Sequence, residues 1–237
     1  MGHTSEGGGQ EERIIALQLQ FRNTIGHLLA DSSAEVKRAL LASLPRLCFF
    51  FHRSSIAVDS ASAKHGPAVP WDAAENDTRD FLLSHIITYL NDRDSWLLRS
   101  HFFEAIVGIA LLVGRHALEE YILPLMNQAM ADSEEYVIGS VLRAFTRLAE
   151  GGLLGKHSVR EKVREVAPLL VHPNPWLREC ALRFIEAGGN VLPEIDHLVV
   201  ISPAIRQCLR YEALELTYEA LSEALDTPVP VKAYQEA

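Results

Sequence analysis

Four short polar turns recur along the chain, each set between two apolar helical runs. The turns are ADSSAEVKR (Ala30 to Arg38), NDRDSWLLR (Asn91 to Arg99), ADSEEYVIG (Ala131 to Gly139) and VHPNPWLRE (Val171 to Glu179). An apolar anchor follows one turn into each second run, at Val36, Leu98, Val137 and Leu177. The last two steps between anchors are 39 and 40 residues, whereas the first is 62. The surplus in that first step has a home in the stretch from His52 to Arg79.

A period near 40 with two helices per unit is the pattern of paired-helix HEAT or armadillo repeats. One such unit cannot bury its apolar face alone, so neighbours stack and share a continuous core. The reading is therefore an all-α solenoid of about five hairpins. Residues 1–13 are expected to be linker, 14–225 the solenoid with an inserted loop at 52–79, and 226–237 a tail.

Composition narrows the function. Apolar residues make up 48% of the 237 and charged residues 22%, enough for a core and too apolar for a disordered chain. A net charge of −9 argues against nonspecific binding to nucleic acid or to anionic lipid. Cys48, Cys180 and Cys208 stand singly, without metal-ligand spacing or an even count for disulfides, which fits reduced, buried thiols in the cytoplasm. The longest run lacking a polar side chain, Ala105 to Val113, is far short of a membrane span. MGHTSEGGGQEE has no apolar signal core, and the abrupt start suggests a piece of a longer protein.

In chain order, Ile14, Leu17, Phe21, Ile25 and Leu28 mark a first amphipathic helix. Val36, Leu40, Leu44, Leu47 and Phe51 mark a second, with Pro45 predicting a kink or break. From His52 to Arg79 no helical period survives, and the stretch reads as a surface loop. Its Trp71 has two readings, an aromatic folded back on the helices or a partner anchor. The second hairpin runs from Asp80 to a helix stop at Gly114, and the third from His116 to Gly151 and Gly152. A fourth ends at Gly188 and Gly189. Beyond it, Tyr211, Leu214, Tyr218, Leu221 and Leu225 suggest one long final helix beside an acidic stripe of Glu212, Glu215, Glu219 and Glu223. That helix either packs inward or pairs with another chain, which makes Tyr218 and Leu221 further candidates for partner contact.

Signs of catalysis are missing from the sequence. There is no GxxxxGK[ST], GxSxG or HExxH, and none of the 10 histidines pairs with another at i, i+4. His85 and His101 read as partly buried and satisfied. Glu119–Glu120 and Glu134–Glu135 are adjacent and point to different helix sides, so neither pair is an acid/base dyad. No catalytic, cofactor or metal residue is assigned. Lys156, Arg160, Lys162 and Arg164, interleaved with Glu161 and Glu165, read as a solvated helix face, with phosphoinositide headgroup contact as the alternative. Trp96 and Trp176 hold matched positions just before the repeat anchors, predicting that they pack over the turn within each hairpin. Truncating Trp176 is then expected to cost roughly 3–5 kcal/mol. Arg99 and Arg178 follow the anchors and are expected to bond the turn of a neighbouring repeat.

Specific strings carry a closer likeness. FLLSHIITYLNDRDSWLLRSHFFEAIVGIALLVG, EEYVIGSVLRAFTRLAEGGLLGKHSVREKVREVAPLLVHPNPWLRE and VKRALLASLPRLCFFF resemble the helical-repeat region of a known family. It is the regulatory, protein-kinase-like subunit of class III phosphatidylinositol 3-kinase complexes. The likeness spans Val36 to Phe51 and Phe81 to Phe184 and includes turns as well as core positions. The stretch from His52 to Arg79 and the tail after Gly189 lack a clear match. The family joins a kinase-like domain, a HEAT-repeat middle and a WD-repeat propeller, and this chain resembles the middle alone. The resemblance implies a scaffold without chemistry of its own. Its implied partners are the class III catalytic subunit and coiled-coil subunits, with no nucleic acid. Membrane contact, on endosomal and autophagic membranes, would come only through the complex. The alternative is an adaptor or transport-receptor solenoid that reads a peptide in its concave groove; such grooves carry regular ladders of Asn, Trp or acidic residues, and here only Trp96 and Trp176 match, the third repeat having Tyr136 in that place.

Overall fold

Asx residues close the intra-hairpin turns, and the helices are organised by those closures. Asp31 Oδ1 accepts from the Ser33 amide (2.7 Å), Asp92 Oδ1 from Ser95 (3.1 Å), Asp132 Oδ1 from Glu134 (2.9 Å) and Asn174 Oδ1 from Trp176 (2.9 Å). Each side chain satisfies an amide that the starting helix leaves without a partner. The computed structural model describes residues 6–62, 84–92, 95–231 and 234, and every regular element among them is helical.

The chain divides into two units, 1–113 and 114–237. In the first, α1 (Glu6–Leu29) and α2 (Ala34–Ser62) form a hairpin that buries Ile25, Leu29, Leu40, Leu41 and Leu44. A short helical stretch at 84–91 follows, where the Tyr89 hydroxyl donates to the Leu29 carbonyl at 2.7 Å. Burial and the nearby Asp31 carboxylate push that phenol up to about 12. Helix α3 (Trp96–Ala117) buries Leu98, Phe102, Phe103, Ile106 and Ile109. Gly114, at φ 80° and ψ 170°, interrupts it, a conformation open to glycine and strained for other residues.

In the second unit a wider π turn (Leu118–Ile122) leads into α4 (Leu123–Ala129), which pairs with α5 (Glu135–Glu150). A Schellman closure ends α5: the Leu153 amide donates to the Leu148 carbonyl and the Gly152 amide to Ala149, both at 2.9 Å, with Gly152 at φ 65°. Helix α6 (Lys156–Val166) and the 3-10 turn Ala167–Val171 pair with α7 (Pro175–Val191), which also lies along α5. Phe145 and Phe184 meet there at 6.0 Å. A helical run at 194–208 and α8 (Tyr218–Ala224) complete the stack.

Several expectations need correction. Helix α1 starts at Glu6, so 6–13 is helical backbone and not linker. Helix α2 passes through Pro45 unbroken and reaches Ser62, which shortens the expected loop at 52–79 from its front; 63–79, with Trp71, lies outside the described residues. Pro45 persists in the helix because α3 offers it a glycine. A Cβ on Gly108 would sit 2.4 Å from the Pro45 Cβ. Gly188 and Gly189 lie inside α7, where they let Val163 and Leu216 approach, and they do not end it. The long final helix is absent: only Tyr218–Ala224 is helical, and Tyr211 and Leu214 sit in irregular backbone. The tail doubles back, with the Val229 amide donating to the Val171 carbonyl at 2.9 Å and the Tyr234 ring edge-on to His172 at 4.4 Å.

Candidate interaction surface

The second unit exposes a ladder of aromatic rings and guanidinium groups. Tyr136 and Trp176, at the starts of α5 and α7, stack at 5.0 Å with planes 15° apart. Arg143, about two turns on from Tyr136, lies 5.3 Å from the Trp176 ring. Arg183 occupies the corresponding place on α7 and lies 4.6 Å from the Tyr218 ring. Two successive repeats of this unit thus lay an arginine over the leading aromatic of the next, a favourable cation–π arrangement. The spacing was legible, since 143 and 183 are 40 apart, like 136 and 176. Arg143 and Arg183 lie beyond the turn-and-anchor segments in which the repeat is plainest, and sequence spacing alone does not show which ring each one meets.

Contrary to the sequence expectation, Trp176 does not pack over its own turn. It lies on the preceding repeat, where a Cβ on Gly139 would come 2.2 Å from the ring. Trp96, the matched residue of the first unit, is 40% exposed. Arg99 and Arg178 also differ from expectation, because they bond the turn of their own hairpin. Arg99 Nη1 donates to the Asp92 carbonyl (2.7 Å), and Arg178 Nη1 to the carbonyls of His172 (2.7 Å) and Pro173 (3.0 Å). A guanidinium one turn into the helix reaches back naturally to carbonyls that the turn leaves open.

Among the repeat anchors, Leu98, Val137 and Leu177 are fully buried and Val36 is half-buried in an open apolar groove between α1 and α2. The partner candidates fare differently. Leu221 is fully buried, which removes it as a contact, and Tyr218 is half-buried beneath Arg183. The basic stretch is not a uniform solvated face. Lys162 is buried and paired with Glu165, and Arg160 grips Asp196 at 2.8 Å. His101 is half-buried with Nδ1 2.7 Å from the Leu97 carbonyl.

His172 is a titratable ring buried in the turn before α7. Its Nδ1 accepts from the Asn174 amide at 3.0 Å, so that nitrogen carries no proton. Burial holds the imidazole below its ordinary value; Arg178 pushes the same way and Glu135 opposes. Cys180 and Cys208 are buried, and burial pushes both thiols up, Cys180 to about 11, the opposite of an activated nucleophile. Among the described residues no His, Cys, Asp or Glu cluster could hold a metal ion, and no helix is long and apolar enough to cross a membrane.

Fold and surface together define a helical-repeat protein whose successive repeats are joined by stacked rings and guanidinium groups. The fold is shared with the crystal structure of Cex1p, with a TM-score of 0.63 and 16% identity over 86% of this chain and 35% of that one. A family model described as PIK3R4-like, middle domain, matches residues 74–237, and the chain belongs to that family. The match runs through the region after Gly189, where the sequence strings alone show no clear counterpart. The chain is 33% identical to the serine/threonine-protein kinase VPS15 of Arabidopsis thaliana over 89% of its length, and 38% identical to the vps15 kinase of Schizosaccharomyces pombe over 85%. It spans only 13% and 10% of those relatives. A probable vps15 kinase of Dictyostelium discoideum is 33% identical over 80% of the chain, which covers 8% of it.

Proposed function

We propose that the chain is a non-catalytic scaffold segment of a class III phosphatidylinositol 3-kinase regulatory subunit. In this reading it holds the catalytic subunit and its coiled-coil partners together for endosomal sorting and autophagy, and reaches membranes only through the complex. The observation that carries it is the family match over 74–237, on a fold of stacked hairpins whose extended surface suits assembly. The relatives are named as kinases, but the family model that matches this chain is that of a middle domain.

The peptide-carrier alternative loses ground at the ladder. Its rings are stacked on neighbouring repeats and covered by Arg143 and Arg183, so they are committed within the molecule. Copurification of the chain with the class III catalytic subunit tests the scaffold reading, beside a variant lacking residues 63–79, which leaves α2 whole. Recovery of the kinase with both proteins places the contact on the repeats. Recovery with the intact chain alone assigns it to 63–79. Recovery with neither, while a full-length regulatory subunit succeeds, defeats the direct scaffold role.

A further inference from the structure

The second residue of each repeated turn is a hydrogen-bond acceptor. Three turns place an aspartate there. Asp31 and Asp132 accept the amide two residues on, at 2.7 and 2.9 Å, and Asp92 the amide three on, at 3.1 Å. The fourth turn places His172 at that position, and its Nδ1 accepts the Asn174 amide at 3.0 Å. An aspartate keeps this role until the pH approaches about 4, whereas an imidazole nitrogen accepts only while the ring is neutral. The fourth turn is thus the one whose leading bond a proton can undo near neutral pH.

The C-terminal stretch is tied to this same turn. The Val229 amide donates to the Val171 carbonyl at 2.9 Å, and the Tyr234 ring meets the imidazole at 4.4 Å. Turns ordinarily face water. His172 is only 4% exposed, because the chain at 229–231 and Tyr234 returns over it.

Three elements bring charged or titratable groups to the ring. From α5, Glu135 Oε1 lies 3.9 Å from Nε2, beyond a hydrogen bond, and its other oxygen already accepts from Asn174 Nδ2. From α7, the Arg178 guanidinium is held at the His172 carbonyl at 2.7 Å and repels a second cation. From the tail comes Tyr234, whose phenol is pushed up by burial and by Glu135 and so stays neutral in this range. A proton on Nδ1 would set two N–H groups head to head. The seated turn therefore disfavours the imidazolium, and the buried ring lies below its ordinary value accordingly.

We propose that the tail is a pH-released strap: it stays seated on the fourth turn while His172 is neutral, and detaches when the ring takes up a proton. A ring opened to water returns toward 6.5, above the value of the seated one. Seating is thus at full strength above pH 6.5 and weakens as the pH falls toward the seated value. A single proton limits the change to about tenfold per pH unit.

Amide hydrogen exchange on the whole chain tests this, with each rate referred to that of an unfolded amide at the same pH. Val229 reads the strap, Phe145 reads the core, and NMR follows the His172 ring. Val229 should be less protected than Phe145 at every pH, because it opens locally. Its protection should fall as the pH is lowered through 6.5 toward 5, in step with the titration of His172. Tyr234→Ser should raise the His172 midpoint toward 6.5. Glu135→Gln removes the carboxylate facing the ring and should move both titration and release to lower pH. His172→Asn keeps an acceptor in the turn and should hold Val229 protected throughout. Protection unchanged down to pH 5, a loss that persists in His172→Asn, or a Val229 amide that exchanges only together with Phe145 would overturn the proposal. Should His172→Asn fail to fold, Glu135→Gln decides alone, and release at an unchanged pH overturns it.

Discussion

Gly139 and Trp176 show how one hydrogen atom's worth of space can decide a repeat interface. In a helix interior glycine costs about 0.5–1 kcal/mol relative to alanine, yet the indole lies where a Cβ would stand. Gly139→Ala is therefore expected to destabilise the protein by about 1–3 kcal/mol through overpacking. Trp176→Ala should cost about 2–4 kcal/mol, less than a fully buried ring, because the indole is half-buried. With the ring gone, Gly139→Ala should become stabilising by up to about 1 kcal/mol, as helix propensity alone then acts. Urea unfolding of the two single variants and the double variant checks this sign change; simple additivity would mean that the ring and the glycine do not share the space. His172 yields a second residue-scale prediction. Its native value lies below 6.5, so as pH falls from 6.5 toward that lower value the unfolded chain takes up a proton that the native ring refuses. Stability should drop across that window and be unaffected by His172 above it. His172→Asn should flatten the slope of urea midpoint against pH over the same range. The groups facing the ring, Glu135, Arg178 and Tyr234, remain in that variant.

At the scale of the element, four hairpin turns are closed by an Asx side chain, and two of them from both sides. An Asp or Asn accepts the first free amides of the second helix, and in two hairpins an arginine reaches back to the turn's carbonyls. Arg178→Ala removes two charge-assisted bonds to the turn and is expected to cost about 1.5–3 kcal/mol. Arg178→Lys should recover only part of this, since one ammonium replaces a planar fork. Thermal unfolding of the two variants tests it, and full recovery with lysine would mean that the guanidinium geometry is irrelevant. The turns were plain in the sequence because Asp31, Asp92, Asp132 and Asn174 recur beside the anchors. Helix ends were harder to read. Pro45 and the Gly188–Gly189 pair look like stops, and both lie within helices because a neighbour fits against them. A local rule for proline or glycine contains no information about what packs alongside.

For the molecule as a whole, stability in a stacked-repeat protein is the sum of repeat terms and nearest-neighbour interfaces. The contact of Phe145 with Phe184 is such an interface within the second unit. Phe184→Ala should cost about 3–5 kcal/mol. It should also lower the denaturant slope, because α5 and α7 would no longer unfold together. A shifted midpoint with an unchanged slope would show that the second unit remains one cooperative block.

The all-helical repeat architecture, its period and its family were determined by the sequence alone. Apolar spacing and turn chemistry are local, repeated properties, and each copy reinforces the same reading. The tertiary structure decided what depends on the neighbour: that Trp176 lies on the preceding repeat, that Leu221 faces the core, and that Lys162 is buried in a basic stretch. It also decided that the segment at 209–217 is irregular. Its apolar and acidic spacing suits a helix, but Leu216 is drawn onto Gly189, and Arg210 is bonded to the carbonyls of Ala224 and Leu225. A helix there would not make those contacts.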